Sequence, residues 1–182
     1  IVIHAAAYKH VPLLEKFPKE ARKTNIVGTE NIIVHAKHRE VERLMFISSD
    51  KAATFNSVMG GTKRYGENLV RNAGYSSVRF GNVMASRGSL FPLWERRVNS
   101  GQSITVTSEL MQRYMMSIPE ACELVIEAIQ LSKGSDCWIM DMGNHIPIIN
   151  IAQGVVQEIK QKFNKDVPIE IIGIRPGETL SE

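Results

Sequence analysis

The sequence predicts an α/β protein whose core is a doubly wound parallel sheet. Short apolar runs rich in β-branched residues alternate with stretches of helical periodicity along most of the 182 residues, an alternation that is typical of parallel α/β folds. Small or polar residues directly follow the first three of these runs. Such residues are expected where a parallel sheet binds ligands beyond the carboxyl ends of its strands.

Each predicted strand is a short apolar run bounded by polar or turn-forming residues. In chain order the strands are 1–6, 43–48, 77–80, 137–141 and 167–172. The first run opens the sequence with no turn or cap before it. We therefore interpret the chain as the C-terminal part of a doubly wound sheet whose N-terminal half is absent.

Helical periodicity links these strands. The predicted helices span about 19–37, 57–72, 117–131 and 147–162. Ala73-Gly74 ends the second helix, because glycine commonly terminates helices. Ser117 and Glu120, with Pro119 between them, form a capping box that starts the third. Residues 83–116 are less periodic and rich in Gly, Ser and Arg, and we assign no element to them.

The composition excludes several classes of protein. With 43% hydrophobic and 23% charged residues, the chain resembles a globular domain rather than a disordered or fibrous one. The net charge of +3 and its short basic clusters do not predict nucleic-acid binding. Cys122 and Cys137 are far apart and suggest neither a disulfide framework nor a zinc site, so a cytoplasmic location is expected. No apolar run approaches the ~20 residues of a membrane-spanning helix, so we expect no membrane contact by this segment.

Three strand ends supply candidate binding residues. They are Ala5-Ala6-Ala7, Ser48-Ser49-Asp50-Lys51 and Gly81-Asn82-Val83. Small residues also pack tightly, and strand ends become polar wherever they meet solvent, so one end by itself is consistent with a purely structural role. Because the carboxyl ends of parallel strands lie along one edge of the sheet, the three together favour a binding site.

Two residue pairs in this region can support acid–base chemistry. Asp50 and Lys51 place a potential proton donor and a potential acceptor side by side, although an exposed turn with an ion pair would have the same sequence. Met59 and Lys63 are four residues apart on the second predicted helix and therefore share one face. Gly60-Gly61 lies between them and disfavours a helix, which indicates that another group approaches the backbone closely there.

In their order along the chain, these features resemble an extended short-chain dehydrogenase/reductase. More narrowly, they resemble the UDP-N-acetylglucosamine 4,6-dehydratases of bacterial polysaccharide and glycan biosynthesis. The segments that carry the resemblance span the whole chain: 4–12 (HAAAYKHVP), 25–29 (NIVGT), 48–52 (SSDKA), 56–64 (NSVMGGTKR), 79–88 (RFGNVMASRG), 113–116 (RYMM) and 173–178 (GIRPGE).

The resemblance implies a Rossmann-like sheet with a small α/β substrate-binding lobe. Residues 1–83 and 117–142 would form part of the dinucleotide-binding domain. Residues 84–116 and 143–182 would form the nucleotide-sugar-binding lobe. The product would be a UDP-4-keto-6-deoxy-N-acetylhexosamine, made by oxidation at carbon 4, loss of water across carbons 5 and 6, and return of the hydride.

The sequence departs from the family's usual pattern at one catalytic position. Met59 stands four residues before Lys63, where the family usually has a tyrosine, and no Tyr-x-x-x-Lys occurs anywhere in the chain. A thioether cannot exchange protons, so an enzyme that relies on the phenol is disfavoured. Core filling is the usual role of methionine. Among these dehydratases, however, Met-x-x-x-Lys resembles the branch that retains configuration at carbon 5.

The resemblance also implies roles for the catalytic residues. Asp50 is the candidate to take the first proton and to protonate the hydroxyl that leaves carbon 6, and Lys51 to remove the proton of carbon 5. Ser49, in place of the family's usual threonine, is expected to hydrogen-bond the carbon 4 oxygen. Lys63 is expected to hold the nicotinamide ribose. The complete predicted catalytic set is Ser49, Asp50, Lys51, Met59 and Lys63.

The implied cofactor is NAD or NADP, and no metal is expected. The sequence does not distinguish the two dinucleotides, and it contains no GxGxxG loop. The predicted cofactor-binding residues are Ala5, Ala6, Ala7, Asn25, Ser48, Lys63, Phe80 and Val83. The predicted UDP-sugar contacts are Lys9, His10, Asn82, Arg87, Arg113, Arg175 and Glu178. For any single arginine, a surface ion pair is the commoner explanation.

Two alternative functions stay open. A nucleotide-sugar 4-epimerase shares the fold and the substrate class but would normally keep the tyrosine. A non-catalytic dinucleotide-binding module would predict a degraded acid–base set, whereas Asp50, Lys51 and Lys63 are all present.

A homo-oligomer is expected, with the predicted helices 19–37 and 57–72 as candidate interfaces. Whether a longer parent chain carries a membrane anchor stays open. The histidines expected to be structural or exposed are His4, His35, His38 and His145.

Overall fold

The chain divides into two structural units. In a computed structural model, which describes residues 1–54 and 56–182, unit 1 comprises Ile1–Phe80, Ala121–Asp141 and Pro176–Glu178. Unit 2 comprises Gly81–Glu120, Met142–Arg175 and Thr179–Glu182. These bounds differ from the predicted division at four places, because 81–83, 117–120 and 142 belong to unit 2 and 176–178 belong to unit 1.

Unit 1 contains a four-stranded parallel sheet. Its strands are β1 (Val2–His4), β2 (Leu44–Ile47), β3 (Ser76–Arg79) and β8 (Cys137–Ile139), in the spatial order β1-β2-β3-β8. Every neighbouring pair is parallel. The structure therefore confirms the predicted strands at these four positions, with ends that differ by at most two residues.

Helices connect the strands of unit 1. They are α1 (Val11–Lys16), α2 (Pro18–Ala21), a π-helical turn (Arg22–Val27), α3 (Gly28–His38), a 3₁₀ turn (Asp50–Ala52), α4 (Val58–Asn72) and α6 (Ile118–Leu131), the first three residues of which belong to unit 2. The helix predicted over 19–37 is thus one helical stretch with a π-helical turn inside it. The six residues of α1 are too few for periodicity to show, and the sequence analysis missed this helix.

Helices cover both faces of the sheet, as the pattern of β2 requires. Leu44 and Phe46 lie in a cluster with residues of α3 and α4, while Met45 lies in another with residues of α6. Alternate side chains of a strand point to opposite faces, so a strand buried on both faces reads as a continuous apolar run. The prediction of a doubly wound parallel sheet is therefore confirmed.

Side chains cap the two helices whose starts were predicted. The Ser57 hydroxyl accepts from Gly60 N at 3.0 Å and begins α4. At α6, Ser117 N donates to the Glu120 carboxylate at 2.6 Å, and Glu120 N donates to the Ser117 hydroxyl at 3.3 Å. These reciprocal bonds are the predicted capping box, and the first of them lowers the pKa of Glu120.

Two glycines of α4 differ in what surrounds them, and this difference leads to a stability prediction. A Cβ on Gly66 would lie 2.6 Å from the ring of the buried Phe46, whereas a Cβ on Gly61 would meet no described residue within 4 Å. We expect Gly66→Ala to destabilise the protein by about 1–3 kcal/mol through overpacking. Gly61→Ala should stabilise it by up to about 1 kcal/mol, because alanine is the better helix former.

Chemical denaturation of the two variants beside the parent protein would test this pair. They share the helix and the substitution, so each is the control for the other. Equal effects of the same sign would contradict the close packing of α4 on β2. A gain in stability of Gly61→Ala with weaker dinucleotide binding would support the expectation that a ligand approaches this turn.

Unit 2 contains three pairs of short strands and two helices. The strands are β4 (Asn82–Val83), β5 (Ile104–Val106), β6 (Gln112–Arg113), β7 (Met115–Met116), β9 (Ile146–Pro147) and β10 (Ile169–Ile171), and the helices are α5 (Leu90–Asn99) and α7 (Ile148–Phe163). β4 pairs with β7 and β5 with β10 in parallel, and β6 pairs with β9 antiparallel. The predicted helix 147–162 and strand 167–172 are confirmed within one or two residues.

The helix α5 is an element that the sequence analysis missed. Leu90, Trp94 and Val98 recur at every fourth residue and pack into one cluster with Ile104 and Ile148. Trp94 is 1% exposed, and its indole N–H donates to the Thr105 carbonyl at 2.8 Å. The spacing of these three apolar residues was the available indication of a helix.

Candidate active site

The ends of β2 and β3 continue to pair beyond the strands and bring the predicted catalytic loop to the sheet edge. Ser48 N donates to Val78 O at 2.8 Å, and Asp50 N donates to Phe80 O at 3.2 Å. The 3₁₀ turn then starts at Asp50. These bonds fix the backbone of the Ser-Ser-Asp-Lys segment at the carboxyl ends of the parallel strands, where α/β sheets bind their ligands.

The Asp50 carboxylate is held through one of its two oxygens. Oδ1 accepts from the Ser49 hydroxyl at 2.8 Å, from Lys51 N at 2.8 Å and from Lys51 Nζ at 3.1 Å. Oδ2 is buried and accepts no hydrogen bond from any residue in 1–54 or 56–182. Buried carboxylate oxygens normally have partners, so this oxygen is available to a ligand. The predicted Ser49, Asp50 and Lys51 therefore form one hydrogen-bonded cluster.

The Ser49 hydroxyl already donates its hydrogen bond within this cluster. Its only hydroxyl hydrogen goes to Asp50 Oδ1, and its oxygen accepts from Lys51 N at 3.4 Å. To donate to a substrate oxygen, as predicted, the hydroxyl must turn away from Asp50. Asp50 would then keep its two contacts with Lys51.

Lys63 is buried at the end of β2. Its side chain is on α4, its Nζ donates to Ile47 O at 2.8 Å, and it lies 4.8 Å from the centre of the Phe46 ring. Burial lowers the pKa of Lys63 to about 8, and the negative charge of Glu67 opposes this effect. A buried ammonium at a strand end supplies positive potential to the same edge of the sheet as Asp50.

A buried ionic network that the sequence analysis missed lies beside Lys63. Glu67 is 4% exposed, and its carboxylate accepts two bonds of 2.6 Å from the Arg79 guanidinium. The Ser48 hydroxyl donates to the same carboxylate at 2.6 Å, and Arg64 lies 3.4 Å from it. The hydrogen bonds to Glu67 and its negative charge raise the pKa of Arg79. The available indication was the spacing, since Glu67 is one helical turn after Lys63 and on the same face.

Asn25 joins the loop after β1 to α4. Its side-chain oxygen accepts from Tyr8 N at 2.7 Å, and its side-chain nitrogen donates to Tyr8 O and to the Thr62 hydroxyl, each at 3.0 Å. Asn25 lies in the π-helical turn and is 1% exposed. All the atoms of its amide are thus used inside the protein. Asn25 positions the loop that follows β1, and its predicted role in cofactor binding stays a prediction.

The buried histidine of β1 belongs to the same region. His4 Nε2 lies 2.8 Å from the Thr29 hydroxyl, which donates its own hydrogen to Asn25 O at 2.8 Å. Nε2 must therefore carry a hydrogen. Burial lowers the pKa of His4, and the charge of Lys63 lowers it further. This histidine is a satisfied structural residue, as expected.

The other predicted residues near these strand ends differ in how far they are buried. Ala5 and Ala6 are exposed, Ala7 and Phe80 are partly buried, and Ser48 is buried in the contact with Glu67. Lys9 and His10 are exposed. Met59 is 3% exposed and packs with Leu14 and Ala21, which matches the core-filling role that was weighed for it.

Glu15 links the start of α4 to the segment 176–178. Its carboxylate accepts from Val58 N at 2.6 Å, in the first turn of α4. Gly177 has a φ of +78°, and a Cβ there would lie 2.7 Å from the same carboxylate oxygen. The family-like Arg-Pro-Gly-Glu segment therefore needs glycine at this position, both for its backbone conformation and for its packing. Glu178, a predicted substrate contact, is partly buried in unit 1.

The remaining predicted contacts lie in unit 2. Arg113 is 6% exposed, and its guanidinium donates to Gln112 O, Thr179 O and Leu180 O and pairs with Glu182 at 3.4 Å. This arginine fastens the segment 179–182 and would have to release some of these partners to contact a diphosphate. Asn82 and Val83 are partly buried, and Arg87 and Arg175 are exposed. The roles predicted for these four residues stay predictions.

The described part of the chain lacks two kinds of feature. Among residues 1–54 and 56–182, no group of three or more His, Cys, Asp or Glu side chains is arranged to hold a metal ion. Over the same residues, no helix has both the length and the apolar character that crossing a membrane requires.

The fold and the site define a class of protein. The parallel sheet with helices on both faces is the Rossmann-like fold of the short-chain dehydrogenases/reductases, and the Ser-Ser-Asp-Lys turn and the buried Lys63 lie at the carboxyl ends of its strands. The chain belongs to the polysaccharide biosynthesis protein family, whose model matches residues 1–182. The predicted family is thereby confirmed at this level.

Two relatives illustrate the range of this similarity. The probable polysaccharide biosynthesis protein EpsC of Bacillus subtilis is 44% identical over 188 residues, which cover 100% of this chain and 31% of EpsC. A UDP-glucose 4-epimerase of Rickettsia rickettsii is 35% identical over 186 residues, which cover 97% of this chain and 53% of the epimerase. The chain thus spans about a third to a half of the length of these relatives.

Two solved structures show the same fold. Pen from Bacillus thuringiensis has a TM-score of 0.92 with 38% identity, over 98% of this chain and 57% of Pen. DesIV, a dTDP-glucose 4,6-dehydratase from Streptomyces venezuelae with NAD and TYD bound, has a TM-score of 0.87 with 15% identity, over 98% of this chain and 62% of DesIV. Both likenesses confirm the predicted Rossmann-like α/β fold.

Proposed function

We propose that this chain carries the acid–base centre of a UDP-N-acetylglucosamine 4,6-dehydratase that works with NAD or NADP. The observation that carries the proposal is the Asp50 carboxylate. One oxygen is fixed by Ser49 and Lys51, and the other is buried without a hydrogen-bond partner among the described residues. A carboxylate held in this way is oriented for proton transfer to a ligand.

The residues at the strand ends fit a nicotinamide dinucleotide. Ala5 and Ala6 are exposed and bring no bulk to the end of β1, and Lys63 holds a positive charge at the end of β2. The bound nicotinamide would accept a hydride from carbon 4 of the sugar and return it to carbon 6. NAD bound to DesIV, a protein of the same fold, supports this choice of cofactor.

Asp50 and Lys51 together can move the protons that the dehydration requires. Asp50, whose Oδ1 lies 3.1 Å from Lys51 Nζ, takes the proton of the carbon 4 hydroxyl. Lys51 then releases its proton to water and, as a neutral amine, accepts the proton of carbon 5. Asp50 gives its proton to the hydroxyl leaving carbon 6, which departs as water.

Lys51 can return a proton to the same face of carbon 5 from which it took one. This step would retain the configuration at carbon 5, in line with the Met-x-x-x-Lys pattern. Met59 itself takes no part in proton transfer, because its thioether packs among apolar residues. Met59 matters because it takes the place of the tyrosine whose phenol would otherwise exchange protons here.

The test is a proton NMR time course of the full-length protein with UDP-N-acetylglucosamine and catalytic NAD in deuterated buffer. A new methyl signal from carbon 6, with deuterium at carbon 5, is the expected result, and the configuration at carbon 5 tests the interpretation of Met59. No change in the sugar signals with intact cofactor binding would contradict the proposal and favour a non-catalytic dinucleotide-binding module.

A nucleotide-sugar 4-epimerase is the second candidate. The 35% identity to the UDP-glucose 4-epimerase of Rickettsia rickettsii favours it. Against it, the chain has no Tyr-x-x-x-Lys. In the same NMR experiment, conversion to the galacto sugar without a methyl signal would establish the epimerase.

A further inference from the structure

The side chain of Glu67 contacts the ends of two strands, and its negative charge acts on Lys63, one helical turn before it. Its carboxylate receives Ser48, which follows β2, and Arg79, the last residue of β3. Glu67 is 4% exposed, so these charges interact with little screening by water. A buried bidentate pair of this kind has a fixed geometry.

We propose that Glu67 is a positioning residue of the candidate active site, which holds the ends of β2 and β3 together and stabilises the positive charge of Lys63. The proposal rests on the proposed function only where it assigns Lys63 to a catalytic centre. The contacts themselves are independent of the reaction.

The geometry explains how the Glu67 carboxylate can hold the two strand ends together and also stabilise the charge of Lys63. Ser48 precedes Ser49 and Asp50, so a bond from Ser48 to α4 at 2.6 Å restrains the start of the catalytic turn. Lys63 and Glu67 are four residues apart on α4 and share a face. Lys63 Nζ binds Ile47 O, the residue before Ser48. The two bonds therefore attach α4 to consecutive residues at the end of β2.

The elements around Lys63 carry several titratable groups. These are His4 on β1, Arg64 and Glu67 on α4, Arg79 on β3, and Asp50 and Lys51 after β2. Glu67 is the group whose charge raises the pKa of Lys63 against the effect of burial. Arg79 and Arg64 face Glu67, and the pKa of His4 is lowered partly by Lys63 itself.

The experiment measures the titration of Lys63 in the full-length protein. Competitive acylation of lysines across pH 6–11, quantified by peptide mass spectrometry, yields the apparent pKa of each lysine. We expect the apparent pKa of Lys63 to fall by roughly one pH unit in Glu67→Gln, because a nearby opposite charge is lost. Glu67→Asp, which keeps the charge, should restore most of the difference. Glu120→Gln, at an exposed cap, is the matched control and should leave Lys63 unchanged.

A purely structural role for Glu67 would lower thermal stability without moving the titration of Lys63, and that result would overturn the proposal. If Glu67→Gln does not fold because Arg79 is left as a lone buried charge, the double variant Glu67→Gln with Arg79→Gln decides. Its comparison with Arg79→Gln alone isolates the charge of Glu67, and equal Lys63 titrations in these two variants would equally overturn the proposal. Lack of dehydratase activity in the parent protein would contradict the proposed function and leave this test intact.

Discussion

Asp50→Asn is expected to lower the turnover of UDP-N-acetylglucosamine by about 10²- to 10⁴-fold, the usual contribution of a general acid or base. Asparagine has nearly the same shape and keeps an oxygen that can accept from Ser49 and from Lys51 N, as Asp50 Oδ1 does. It cannot take up or release the proton. Formation of the carbon 6 methyl group, followed by NMR in the full-length protein, measures the effect.

Asp136→Asn is the control for this variant. Asp136 precedes β8, at the opposite end of the strands from Asp50, and its carboxylate accepts from Lys133 N at 2.9 Å. We expect its turnover to match that of the parent protein. Circular dichroism and dinucleotide binding should be normal in both variants. If Asp50→Asn turned over as fast as Asp136→Asn, Asp50 would not be the acid.

Lys63 should make the stability of the protein depend on pH in alkaline solution. The pKa of Lys63 is about 8 in the folded protein and 10.5 in the unfolded chain. Between these values the unfolded chain holds a proton that the folded chain has lost, so folding becomes more favourable as the pH rises from about 8 to about 10.5. The full effect is about 3 kcal/mol, at ~1.4 kcal/mol per pH unit.

The comparison with Lys63→Met isolates this contribution. Methionine has a similar length and no charge, so the difference in the free energy of unfolding between the parent and the variant should change by about 3 kcal/mol between pH 7 and pH 10.5. Lys19→Met, on the exposed surface of α2, serves as the control and should show a constant difference. A constant difference for Lys63→Met as well would mean that Lys63 titrates as an exposed lysine does.

The two α4 residues Lys63 and Glu67 mark where prediction from sequence succeeds and where it ends. The helix itself was predicted over 57–72 and observed as Val58–Asn72, because capping, periodicity and a terminal glycine are local signals. Lys63 was identified through its spacing from Met59. Glu67 has the same kind of spacing from Lys63, but its function depends on Arg79, which lies on another element.

The predicted substrate contacts show the same limit more sharply. Arg113 was identified on its type and its place in a family-like segment, and the structure surrounds it with the carbonyls of Thr179 and Leu180 and the carboxylate of Glu182. Residues about seventy positions apart in the chain come together here. Such a pairing leaves no periodic trace in the sequence, so the sequence could not indicate which partner the guanidinium has.

The sequence alone determined the order of the four strands and of α3, α4 and α6 in unit 1 and the placement of Asp50 and Lys51 at a strand end, because burial on one face or two imposes a pattern on neighbouring residues. Only the tertiary structure decided that one oxygen of Asp50 lacks a partner among the described residues, that the Asn25 amide bonds Tyr8 and Thr62 and that Glu67 joins two strand ends. These properties depend on the distance between side chains from separate elements, which packing of the folded chain sets.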